Sequence, residues 1–356
     1  FTNSLLVGTS STGTLNAAQK NVGVGTTVFA ALTSGDNNTA VGFDSLKANT
    51  TGSSNTGMGN NALGANTTGA SNVGIGSGAL DANTEGDANT AVGASAYTTG
   101  TTGDQNTAIG RSSLQNNTTG SSNTSIGKDS LLSNTTGVGN TSVGMGTLYS
   151  NTTASYNTAI GSLALDTNTT GASNTAVGYD ALTANSSGAG NVAIGVNSLD
   201  ANTTASNNTA VGLNSLTTNT TGADNTAVGR TSMEANTTGS NNVAVGLDSL
   251  ALNTTGASNV AVGYASLAAN TTGNNNSALG KDALKLNTTA SSNTAVGNSV
   301  LTTNTTGASN TAVGAGAMFA NTEGACNTAV GVDALAANTT GICNISVGSL
   351  SLAANT

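Results

Sequence analysis

The side chains here that could do chemistry are few in kind, and they recur at one spacing. Asn-Thr-Thr triplets such as Asn49-Thr50-Thr51 and Asn253-Thr254-Thr255 are N-x-[ST] acceptors, so Asn49, Asn66, Asn253 and Asn270 are candidate glycosylation sites. The competing reading of the same asparagines is structural: amides stacked in a column bond to one another and to turn backbone, which would deny them to a glycan. Cys326 and Cys343 stand 17 residues apart. If that interval is one turn of a stack, their Cα atoms lie near 5 Å, within disulfide range. They read equally as a staple suited to an oxidising compartment or as two free thiols. The acidic residues are scattered and do not assemble the several oxygen ligands that calcium requires. The chain has no His, which removes imidazole acid/base chemistry, the Ser-His-Asp triad and His-ligated metal. Repeated G-x-x-S lacks the strand–loop–helix setting of a phosphate loop. No constellation of nucleophile and base occurs, so the sequence reads as that of a non-enzyme with no cofactor.

What positions these residues is a repeat. Asn38 opens the string NTAVG, and Asn55, Asn72, Asn89, Asn106 and Asn123 open similar strings at intervals of 17 residues. The series runs to Asn344 without insertion or deletion, and back to Asn21 and, degenerately, to Ser4, giving 21 rungs. Numbered 1 to 17, the rung reads N-T-A-V-G-x-x-S-L-x-A-N-T-T-G-x-x. The period is too short for two helices and long enough for short strands joined by turns, so each rung must stack on its neighbours to bury a core. Thr, Val and Ile at positions 2 and 4 favour strand. Position 5 is Gly throughout and position 15 nearly always, which predicts two corners with positive φ. The expected fold is all-β: a parallel β-solenoid of about 21 coils, roughly 100 Å long at the spacing of adjacent strands. Residues 1–20 form a degenerate first coil or junction, in which Leu5, Leu6 and Thr12 depart from the pattern, and 21–356 the continuous repeat. Tyr97-Thr98-Thr99-Gly100 is the other main departure, since position 12 there loses its Asn.

The columns give an expected burial map. Position 4 (Val41, Met58, Ile75, Val92, Ile109, Leu279) and position 9 (Leu, or Phe29, Tyr97, Met233 and Met318) read as the core. Position 2, where Thr39 gives way to Val73, Val192, Val243 or Ile345, reads as partly buried on the same face as position 4. Position 3 admits only small residues after the first rung (Ala40, Gly57, Gly74, Ser125, Ala159). That size limit implies something packed against the opposite face of the strand, namely another chain or layer. Every charged residue falls at position 6, 7, 10, 14, 16 or 17, which marks a solvated rim.

Composition narrows the partners. Charged residues make up 6% of the chain and the net charge is -9 with only 7 Lys+Arg, so a nucleic-acid surface is not expected. No apolar run is long enough to span a membrane. The strings NTAVG, NVAIG (Asn191–Gly195) and NISVG (Asn344–Gly348) resemble the head repeats of trimeric autotransporter adhesins. NTAVGxxSLxANTTG also resembles repeats of phage tail-fibre-like proteins. The period is longer than that of the adhesin roll. The resemblance implies a homotrimeric, extracellular, adhesive fibre on a virion or cell surface, with a host-surface or glycan receptor. Alternatives are a self-assembling extracellular filament whose subunits join end to end, and an ice- or glycan-binding solenoid.

Overall fold

A computed structural model describes residues 4–8 and 17–355. Thr12 lies outside the described residues. The chain divides into two units, Phe1–Asn174 and Thr175–Thr356. Among its described residues the first holds ten three-residue strands, from β1 (Leu5–Val7) to β10 (Thr158–Ile160). The second holds eleven, from β11 (Thr175–Val177) to β21 (Ile345–Val347). Within each unit every strand pairs in parallel with the next one in sequence, one period on. Thr39, Ala40 and Val41 lie opposite Thr56, Gly57 and Met58, and Thr209, Ala210 and Val211 opposite Thr226, Ala227 and Val228. Each unit is therefore a parallel β-solenoid with a 17-residue coil.

Hydrogen bonding along the stack extends well beyond the strands. In the coil that begins at Asn38, the N–H groups of Thr39, Leu46, Ala48 and Thr50 donate to carbonyls of the next coil at 2.8–3.1 Å. Those of Gly42 and Ser54 donate to the preceding coil, each at 2.9 Å. Turn backbone is thus satisfied by the neighbouring coil, as buried backbone must be. This accounts for the absence of Pro from the sequence: most N–H groups of a coil have an axial acceptor that a proline would forfeit.

The burial map corrects one expectation. Leu at position 9 is fully buried as expected, apart from Leu352 of the last coil, but position 4 is not core. In β3 (Thr39–Val41) and its counterparts the middle residue points inward and the two flanking ones outward. Ala40, Ala91, Ala210 and Ala244 are wholly buried, while Met58 is 43% and Ile160 41% exposed. The strand alternates as expected, with its two faces exchanged. The size limit at position 3 is imposed from within the chain: a Cβ on Gly57 would lie 2.6 Å from Ser45 Oγ, and one on Gly74 3.2 Å from Leu63 Cγ. The coil interior is thin enough that one small residue facing one Leu fills it. Where position 3 is Ser, the hydroxyl is paired, as Ser125 Oγ donates to the carbonyl of Ser130 at 2.8 Å.

The corners differ as well. Gly at position 5 does take positive φ, +129° at Gly42 and +137° at Gly229. Gly at position 15 does not; contact favours it there, since a Cβ on Gly52 would meet the carbonyl oxygen of Gly69 at 2.3 Å, although Ala154, Ala205 and Ala290 hold the same position in other coils. The other left-handed residues occupy positions 7, 9 and 17 and are mostly non-glycine, such as Asp44, Leu46 and Ser54 at φ of 56°, 49° and 61°, with Gly78 at position 7 and Gly139 at position 17 among the glycines. A left-handed Leu costs about 1–2 kcal/mol. Burying its side chain contributes roughly 1.5–3 kcal/mol, enough to hold it there.

Candidate functional site

Two internal amide ladders link successive coils. At position 1, Asn38 Nδ2 donates to the carbonyl of Gly52 at 3.0 Å, and Asn38 Oδ1 accepts the N–H of Asn55 at 2.9 Å. At position 12, Asn49 Nδ2 donates to the same Gly52 carbonyl at 2.9 Å, and Asn66 Nδ2 donates to Asn49 Oδ1 at 2.8 Å. One carbonyl thus gathers amides from opposite ends of the coil. Asn49, Asn66, Asn253 and Asn270 are all fully buried, with Nδ2 committed to these bonds. In the folded chain these sequons are closed to a glycan.

Tyr97 shows how the ladder tolerates a missing rung. Its position 12 is Gly100, and the buried Tyr97 ring occupies the space: a Cβ on Gly100 would lie 2.1 Å from the ring. The phenol takes over the amide's bonds, donating to the Gly103 carbonyl at 3.3 Å and accepting from Asn106 Nδ2 at 3.1 Å. The substitution is incomplete, because Asn83 Oδ1 on the preceding coil has no partner. Burial pushes the Tyr97 hydroxyl up to about 12 from an ordinary 10. The folded state therefore favours the neutral phenol, and its contribution is complete below pH 10 and lost as pH rises through 12. Two pKa units correspond to about 2.7 kcal/mol. The double variant Y97L/G100N, which restores both consensus residues, should abolish this alkaline loss and supply the donor that Asn83 lacks. Chemical denaturation at pH 9 and pH 12 measures it; an unchanged pH dependence would show that Tyr97 is not responsible.

Outside the coil, the chain presents two surfaces. One is the outer face of the strands. Position 4 forms an exposed aliphatic column, with Met58, Ile75, Ile109, Ile126 and Ile160 in the first unit and Ile194, Val262, Leu279, Val313 and Val330 in the second. Beside it runs the half-exposed Thr/Val column of position 2. This T-x-[VI] strip carries no charge and, as a contiguous apolar surface, is the mark of an interaction site. Its sequence signal is the run of β-branched residues at position 4, which by composition alone is indistinguishable from core.

The other surface is the polar rim. Lys47 pairs with Asp44 at 2.9 Å, Lys128 with Asp129 at 2.7 Å and Lys285 with Asp282 at 3.0 Å. These pairs are solvent-facing and add little stability. The Thr27 hydroxyl, and then Lys47, hold the Asp44 carboxyl below its usual range, whereas burial raises Asp81. Both carboxylates line an open groove of about 520 Å³ with Lys47, Asn61 and Gly64. Among the described residues no group of three or more His, Cys, Asp or Glu could hold a metal ion. No helix among them is long and apolar enough to cross a membrane. Cys326 and Cys343 are both exposed, free thiols.

No protein-family model matches the chain, and no curated protein matches it.

Proposed function

We propose that this β-solenoid is a structural segment of an extracellular adhesive fibre, assembled as a homotrimer whose copies pack their T-x-[VI] strips together. The observation that carries this reading is the exposed aliphatic column at position 4, repeated through both units with no charged interruption. Fully burying a Val or Ile side chain is worth about 1.5–3 kcal/mol, so covering an exposed two-fifths adds roughly 0.6–1.2 kcal/mol for each such coil. The gain grows with the number of coils, which suits a side-by-side contact along the stack. A closed cyclic arrangement also satisfies the strip in every copy. The uniform interior supplies a regular scaffold, and the variable rim, including the groove at Asp44 and Asp81, is the surface left to meet a receptor.

Light scattering and chemical cross-linking of the purified chain should give particles of three copies. Ile194→Asp combined with Val211→Asp places two carboxylates in the strip and should shift the population to monomer while leaving the coil fold intact by circular dichroism. A wild-type monomer at micromolar concentration would sink the trimer. In that event the rival use of the same strip gains ground, since its Thr hydroxyls and β-branched methyls would then face solvent in a regular array. An ice-recrystallisation assay on the monomer tests that use directly.

A further inference from the structure

The rim contains one feature that the fibre reading leaves unused. Cys326 and Cys343 are the only two cysteines of the sequence, and both thiols are exposed and unpaired. They share position 17 of adjacent coils in the second unit. Immediately after them, β20 (Thr328–Val330) pairs in register with β21, Thr328 opposite Ile345. Their backbones are equivalent: each has φ of 59°, and each N–H donates to the alanine carbonyl one coil back, Ala308 or Ala325, at 3.0 Å. Equivalent conformation in register makes the two Cα–Cβ bonds parallel. The Cβ atoms are then separated by the stack spacing, about 4.7–4.9 Å.

That separation discriminates between two fates of a thiol pair. A disulfide accepts the Cα spacing but wants Cβ atoms about 3.5–4.5 Å apart, so the coil register opposes it. Two thiolates joined through a metal ion by bonds of roughly 2.2–2.3 Å span about 4.5 Å when the three atoms are collinear. The coordination number is also limited. With no third His, Cys, Asp or Glu grouped with the pair among the described residues, tetrahedral zinc and iron–sulfur clusters lack ligands. Thiolate softness with two-fold coordination selects copper(I). The net charge of -9 does not oppose a cation.

We propose that Cys326 and Cys343 form a dithiolate clamp for one copper(I) ion. On binding, each thiol releases its proton and donates an electron pair to the metal, giving a singly negative bis-thiolate cuprate and two protons, with no change of oxidation state. Because binding releases two protons, affinity should rise with pH. The test is an anaerobic titration of the reduced, full chain with copper(I) buffered by bicinchoninate. One ion per chain is expected, with at least a hundredfold weaker binding in both Cys326→Ser and Cys343→Ser. Each variant should keep the wild-type circular dichroism spectrum, because both side chains lie outside the coil. Binding that survives in either single variant would overturn the clamp. So would one copper per two chains, which would place the ion between copies. A purified chain lighter by two hydrogens, with an internal disulfide, would show that the coils yield and the pair closes on itself. None of these outcomes depends on whether the strips trimerise.

Discussion

Gly229→Ala should destabilise the second unit by about 3–5 kcal/mol, a large effect for the addition of one methyl group. Two costs combine. The residue has φ of +137°, a region open essentially to glycine, and forcing alanine into it costs of order 1–3 kcal/mol. A Cβ there would also lie 2.4 Å from the carbonyl oxygen of Gly246 and 2.7 Å from its carbon. These are backbone atoms of the next coil, and they cannot rotate away. Gly246 is itself fixed, since its N–H donates to the Val228 carbonyl at 2.8 Å. Relief requires the coils to separate locally, at about 1 kcal/mol for each hydrogen bond given up. Gly78 is the control. It has φ of +68°, nothing within 4 Å of a built Cβ, and sits at position 7, where other coils carry Asp or Asn. Gly78→Asn should change stability by no more than about 0.5 kcal/mol. Urea unfolding compares the two; a loss under 1 kcal/mol for Gly229→Ala would refute this account of the corner.

Asn225→Leu preserves side-chain volume and removes one amide from the ladder, at an expected cost of about 3–5 kcal/mol. Asn225 Nδ2 donates to the Gly239 carbonyl at 2.8 Å. Its Oδ1 accepts two donors from Asn242, the backbone N–H at 3.0 Å and Nδ2 at 3.1 Å. Leucine would leave the Asn242 N–H buried with no acceptor, a penalty of about 1–3 kcal/mol beyond the bonds themselves. The Gly239 carbonyl would keep Asn236 Nδ2 at 3.0 Å, so the damage falls mainly on the next coil. Thermal unfolding measures the loss. If Asn225→Leu behaves like a surface substitution, within about 0.5 kcal/mol of wild type, the ladder is decoration rather than support.

The period, the glycine at position 5, the buried Leu and the asparagine ladders are legible because each recurs in nearly every coil. A column that never varies reports a local constraint that the repeat samples some twenty times. The inward side of the strand was harder to read. Ala at position 3 and Val at position 4 both look like core by composition. Choosing between them requires the width of the coil interior, which depends on the left-handed turns at positions 7 and 9. Those turns are occupied by Asp, Asn, Ser and Leu, and Leu carries no sign of a positive φ. The inference that one strand face lacks cover within a single chain holds with the faces exchanged: it belongs to positions 2 and 4. At Tyr97 the loss of Asn was visible, but that the phenol reaches Gly103 follows only from side-chain placement. The candidate site as a whole was visible only as conserved β-branching within the repeat, with its orientation concealed.

The axial bonds have a consequence for how such a chain can change over generations. Each column bonds to the same column, or its immediate neighbours, one coil away. Excising or duplicating one in-frame repeat would rejoin Asn to Asn, Gly to Gly and Leu to Leu, with every partner regained. An excision one residue longer or shorter would set each amide of the ladders against the wrong column and turn a strand inside out. Length is therefore nearly free to vary in whole coils and almost forbidden to vary otherwise. Recombination between near-identical repeats in the gene supplies whole-coil steps. Variants of this protein should differ in reach by integral numbers of coils while keeping the same interior and the same outward strip.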